Sequence, residues 1–263
     1  MVKEKAFEWG LKAWIERLGK PTYTLLVYHS RLDISIERFY SMVKVQGNRK
    51  GCKDVFNAFL VKDATYAGKE EIPIIRPYNG ILPEKMVLFS KRHQTTEKFS
   101  WLCFYEDDYK FENLWRNPKL HLDTLSKFEG VILPDFSLFR DMPYNMQVNN
   151  IYRSRAIGTW LQSMGIPVIP NIRWGDERTY DIACLGISKD NVISVGSHGQ
   201  MKDLDDRHHF IDGLDYVVDK LRPHTILVYG ALPDDVFDWY RLQGINILHY
   251  PSDTSLVYMQ GGA

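Results

Sequence analysis

Short apolar runs alternate with amphipathic stretches along most of this chain, and the alternation predicts strands and helices in turn. Runs of apolar and β-branched residues predict strands at 72–76, 86–90, 101–105, 130–134, 166–171, 191–195, 225–229 and 246–250. Helical spacing predicts segments at 109–116 with 120–128, 143–164, 206–221 and 234–243. Pro143 suits the first turn of its helix and Gly165 its stop. Asp203 or Asp205 can cap the helix that Arg222-Pro223 ends. Upstream, Phe7, Leu11, Trp14, Ile15 and Leu18 stand at helical spacing, 22–29 reads as a strand and 34–45 as a helix. Apolar strands followed by helices predict an α/β fold on a mostly parallel sheet. Eight strands suggest an incomplete (β/α)8-like barrel, with an open doubly wound sheet as the alternative. Residues 1–53 form an N-terminal α+β extension and 54–263 the core domain.

Composition changes this picture little. A chain of 263 residues, 44% hydrophobic and 25% charged, is long enough for a full α/β core. No apolar run approaches the roughly 18–20 residues that span a bilayer, so no membrane is expected. The charged, amphipathic start does not read as a secretory signal. Cys52, Cys103 and Cys184 are widely spaced and in no CxxC pattern, which fits a reduced cytoplasm and argues against structural zinc.

Charge is balanced overall but uneven. Residues 1–53 carry eleven Lys and Arg against five acids. That surplus could meet nucleic acid, or could simply complement the acidic body within one fold. The turn 47–51, Gly-Asn-Arg-Lys-Gly, is basic but lacks the spacing and the Lys-Ser/Thr ending of a P-loop.

Candidate chemistry collects at the carboxyl ends of the predicted strands, where α/β folds bind ligands. The block Pro170–Asp181 leaves a short apolar strand directly into Asn171, Arg173, Trp174, Asp176, Glu177 and Arg178. Asp135 follows another strand and could be a general base or cap its own turn. Glu106, Asp107 and Asp108 could offer paired carboxylates for acid–base work or to a divalent metal, although three adjacent residues cannot all face one point. No cofactor motif accompanies them. His198 could exchange a proton near neutral pH or bond backbone in its loop. Tyr229 ends a further strand. Trp174 could stack on a base or pack beneath its loop. Between Lys127 and Lys189 every Lys or Arg is arginine: 140, 153, 155, 173 and 178. Guanidinium suits bidentate contacts to phosphate, as Arg140, Arg173 and Arg178 could make, and equally can brace the neighbouring acids.

Several of these blocks resemble one uncharacterised family. They are 131–143, 152–158, 169–181, 197–199 and 228–230, with 52–57 and 104–111 also similar. The family is a domain of unknown function, DUF4417, common in phages, prophages and mobile elements of Gram-positive bacteria. The resemblance spans roughly 50–253 and implies a protein of the bacterial host cytoplasm, but no reaction. Two functions stay open, beside a third, a subunit of a phage replication or particle-assembly complex, to which no residue points directly. The first is a cofactor-independent hydrolase or glycosyl-bond enzyme acting on a nucleotide or nucleic acid. There Asp135 or Glu106 is the base, His198 the acid, Arg173 and Arg178 bind an oxyanion, and Asn171 orients substrate. The second is a non-enzymatic binder of nucleic acid, a signalling nucleotide or a host protein.

Overall fold

The computed structural model describes residues 54–94, 99–253 and 255. The extension at 1–53, with its expected helices, strand and basic turn, lies outside them. The core is α/β. A hairpin pairs β1 (Tyr66–Ala67) with β2 (Ile72–Pro73) antiparallel. Next come β3 (Lys85–Leu88), β4 (Ser100–Cys103), α1 (Glu112–Arg116), α2 (Leu122–Leu125), β5 (Gly130–Ile132), α3 (Tyr144–Ser163) and β6 (Val168–Ile169). The chain continues through α4 (Tyr180–Cys184), β7 (Val192–Gly196), α5 (Leu204–Leu221), β8 (Thr225–Tyr229), α6 (Asp234–Leu242) and β9 (Asn246–Tyr250).

Strands β3-β4-β5-β6 form one parallel sheet and β7-β8-β9 another. A bridge between Asn171 and Ser194 joins them, with Ile172 N donating to Ser194 O at 2.9 Å and Ser194 N to Pro170 O at 2.8 Å. The order never reverses, so the switch point of a doubly wound sheet is missing among the described residues. Strands lie about 4.8 Å apart, and a flat run from β3 to β9 would span roughly 29 Å. Yet the Tyr250 hydroxyl at the end of β9 donates to Pro83 O at 2.5 Å, just before β3. Lys91 Nζ and Asp253 Oδ2 meet at 2.5 Å beyond the same two strands. The sheet is therefore rolled, but no ladder joins β3 to β9 among the described residues, so backbone pairing does not close a barrel.

Seven strands, not eight, run parallel among the described residues. The predicted strand at 72–76 yields only the hairpin arm β2, because Pro73 cannot donate to a central ladder and Pro77 breaks the chain soon after it. Prolines also trim β6: Pro167 and Pro170 flank it, leaving Val168 and Ile169 as its length. Rolling gives the sheet an inside and an outside. The interior cluster draws Met86, Trp101, Cys103, Ile132, Ile169, Val192, Leu227 and Tyr250 from all seven parallel strands. Two outer clusters bury the opposite faces under the helices. Helix α3 approaches especially closely, since a Cβ at Gly158 would lie 2.5 Å from Leu133 Cδ2.

Helix boundaries follow local chemistry. Pro143 sits one position outside its helix, at the N-cap rather than in the first turn. Gly165 takes φ +79° just past the other end, which glycine adopts without strain. At α5 the Asp203 carboxylate accepts from Asp205 N at 2.9 Å and Asp206 N at 3.1 Å. Asp203→Ala should lower stability by about 1 kcal/mol, read as a shift in the urea midpoint at unchanged slope. An unaltered midpoint would show that the cap contributes nothing. Among the described residues, no helix is long and apolar enough to cross a membrane.

Candidate functional site

The carboxyl ends of all seven parallel strands point to the same end of the rolled sheet, and each places a polar group there. The centre is a mostly buried chain of hydrogen bonds. Asn171 Nδ2 donates to Asp135 Oδ1 at 2.8 Å, and the Tyr105 hydroxyl donates to Asn171 Oδ1 at 3.1 Å. Tyr105 Oη also lies 2.5 Å from Ser194 Oγ. These contacts orient the Asn171 amide, since only its nitrogen can face a carboxylate as donor. Arg173 Nη1 stands 3.5 Å from Asp135 Oδ2, while its Nε is buried without a hydrogen-bond partner.

Backbone alternation explains how one short segment builds this. Successive side chains of an extended chain point to opposite sides. Asn171 and Arg173 turn toward Asp135, whereas Ile172 and Trp174 join the cluster under α5. Glycine shapes the neighbouring strand end. A Cβ at Gly196 would lie 2.8 Å from the Tyr105 ring and 3.6 Å from Asp135 Oδ2, so only glycine lets the ring stay. Tyr105 stacks on Tyr229 with centroids 4.7 Å apart and planes 14° apart.

Burial sets the electrostatics. It raises the Asp135 carboxyl above its ordinary value, although Arg173 and the Asn171 hydrogen bond pull it down. Burial likewise pushes the Tyr105 and Tyr229 hydroxyls and the Cys103 thiol upward. Glu106, Asp253 and Asp135 each raise the Cys103 thiol further, so carboxylates from three strand ends act on one interior position. Glu106 Oε1 accepts from Ser90 N at 2.8 Å, and its Oε2 is buried with no hydrogen-bond partner.

Of the residues singled out by sequence, Asp135, Asn171 and Arg173 are in direct contact, with Glu106 and Tyr229 at adjoining strand ends. Others lie elsewhere. Arg178 grips Asp176 through Nε at 2.9 Å and Nη2 at 2.8 Å, and also donates to Arg140 O. Arg140 pairs with Asp205 and Asp206 at the start of α5. That set braces the surface and leaves neither Arg178 nor Arg140 as a free guanidinium. Trp174 is no open stacking platform: its ring is buried against α5, with Nε1 donating to His209 O at 3.1 Å. His198 is exposed and makes no hydrogen bond among the described residues. The three adjacent acids turn to three partners, Glu106 to Ser90, Asp107 to Lys110 and Asp108 to Ser137, so they do not combine at one metal.

The sequence puts Tyr105 and Asp253 among the polar strand ends and Arg155 in the arginine run without a role for any of them, and nothing there singled out Ser194 or Lys91. Tyr105 and Ser194 had a signal: each continues an inward period-2 face, Trp101-Cys103-Tyr105 and Val192-Ser194-Gly196, with a polar atom amid apolar neighbours. The pairing of Lys91 with Asp253 had none, because only the roll of the sheet brings them together.

The family model described as Domain of unknown function (DUF4417) matches residues 64–251, which include every member of the central chain. The sequence is 33% identical over 181 residues to the Gene 1 protein of Mycobacterium phage L5, covering 68% of this chain and 78% of that protein. It is 35% identical over 164 residues to the Gene 1 protein of Mycobacterium phage D29, covering 62% of this chain and 61% of that relative. No solved structure matches.

Proposed function

This chain belongs to the DUF4417 family, whose relatives here are phage proteins, and we propose that its strand-end site performs acid–base chemistry on a nucleotide or nucleic acid in the host cell. The observation that carries the reading is Asp135. It is a mostly buried carboxylate, its side chain 12% exposed, with a raised pKa, oriented by Asn171 and facing a guanidinium whose Nε is still unpartnered. A base tuned upward accepts a proton more readily near neutral pH. Arg173 then has a donor left for an oxyanion, and Glu106 supplies a second carboxylate oxygen from the next strand end. Two carboxyl groups flanking a bond suit hydrolysis or transfer at a glycosyl linkage. His198, exposed at the rim, serves as the acid. No step in this scheme calls on a cofactor.

The test is direct. Full-length protein is incubated with nucleosides, nucleotides, single-stranded DNA and RNA, and products are followed by chromatography and mass spectrometry. Release of a free base or phosphate, lost in Asp135→Asn, is expected. Binding without release, or nothing at all, overturns the chemistry.

The charge of residues 1–53 favours a second reading, a binder of nucleic acid. In that case Arg49→Gln with Lys50→Gln should weaken a gel shift that itself fades between about 50 and 200 mM salt. A shift indifferent to salt and to these changes removes this reading.

A further inference from the structure

Arg155, in the middle of α3, is 2% exposed. Its guanidinium meets no carboxylate among the described residues. Nη1 donates to Asn171 O at 3.1 Å, Nη2 donates to Ala183 O in α4 at 2.8 Å, and Nε has no partner. Desolvation lowers its pKa to about 10, which leaves it charged at neutral pH. An ion without a counter-ion in such a place is costly, and an apolar side chain of similar length could fill the space. What the arginine adds is geometry: two fixed carbonyl contacts from one planar fork.

One of those carbonyls belongs to the residue at the centre of the site. Asn171 lies where the sheet crosses from β6 to β7 by a single bridge: on the far side of the same peptide Ile172 N bonds Ser194 O at 2.9 Å, while the Asn171 carbonyl itself takes Arg155 Nη1. Its carbonyl turns away from the sheet toward α3, while its amide turns toward Asp135 and Tyr105. Rotating the carbonyl would swing the amide out of register. We propose that Arg155 is a positioning residue, which holds the Asn171 backbone so that the Asn171 amide keeps Asp135 and Tyr105 in place. This rests on Asp135 as the working carboxylate.

Arg155 reaches Asp135 through Asn171 rather than by its own field. The groups acting on Asp135 are Arg173 and Asn171 after β6 and Asp108 after β4, and Asp135 in turn acts on Tyr105 and on Cys103 of β4. The experiment follows the Asp135 carboxyl by carbon NMR against pH in full-length protein labelled at aspartate, with the resonance assigned by its loss in Asp135→Asn. Arg155→Lys keeps a charge but not the fork, and Arg155→Gln keeps a donor but no charge. Each should raise the Asp135 midpoint by about half a pH unit or more, as should Asn171→Ala. In an Asn171→Ala background, neither change at Arg155 should add anything. Leu161→Ala, a cavity in the outer cluster, should destabilise without moving the midpoint. An unmoved midpoint in the Arg155 variants, or equal shifts with and without the Asn171 amide, overturns the proposal. Turnover is not read, so an inactive protein would defeat the acid–base reading and leave this result standing.

Discussion

Asp135→Asn should cut any nucleotide-directed turnover by about 10²- to 10⁴-fold, the range a positioned general base contributes. Asparagine has nearly the same shape and can still accept from Asn171 Nδ2, but it cannot take a proton. Folding should respond with a definite pH signature. The folded pKa of Asp135 is raised, so its protonated form is bound more tightly by the folded state than by the unfolded chain. That contribution to stability is full below the unfolded carboxylate value, about 3.9, and is lost as pH rises through the folded value. Asparagine has no such loss. The stability of the variant relative to wild type should therefore climb as pH rises above about 4, measured by urea unfolding at each pH. Parallel stability curves would show that Asp135 carries no net burial penalty, and an unchanged rate would remove it from the chemistry.

Trp174→Ala should cost about 3–5 kcal/mol of folding stability, the usual penalty for emptying a buried aromatic site. The ring packs on Phe210 with centroids 5.5 Å apart, and a Cβ at Gly213 would collide with its Nε1, so α5 rests directly on it. Removing it also leaves His209 O without its side-chain donor. Trp174→Phe should recover much of the loss, since it restores apolar volume but not the N–H. Denaturant unfolding measures both. A stable Trp174→Ala variant that had lost only ligand binding would reverse the assignment and return Trp174 to the site.

These two residues lie at the heart of what could be read in advance. The block 170–181 announced itself as polar chain leaving a buried strand, and its Asn171 and Arg173 do meet Asp135. The same block holds Trp174 and the Asp176–Arg178 pair, which serve packing and surface bracing instead. Arginine numbers misled in a similar way. Arg140, Arg153 and Arg178 pair with acids, whereas Arg155 braces no acid and binds two carbonyls. Residue type alone gave these four the same appearance.

Local order in the sequence settles the alternation of apolar strands with amphipathic helices, an acidic cap at Asp203 or Asp205, the Gly165 stop, and the polar character of the strand ends. Those features depend on neighbours within a few positions, where periodicity and backbone preference act. Tertiary structure alone decided that the parallel strands described number seven, that the sheet rolls until Tyr250 reaches Pro83, and that Asp135, Asn171, Tyr105 and Ser194 form one chain. The reason is that partners far apart in sequence are chosen by register and curvature. Once the strand is placed, alternation sends Arg173 to the site and Trp174, one residue later, to the core.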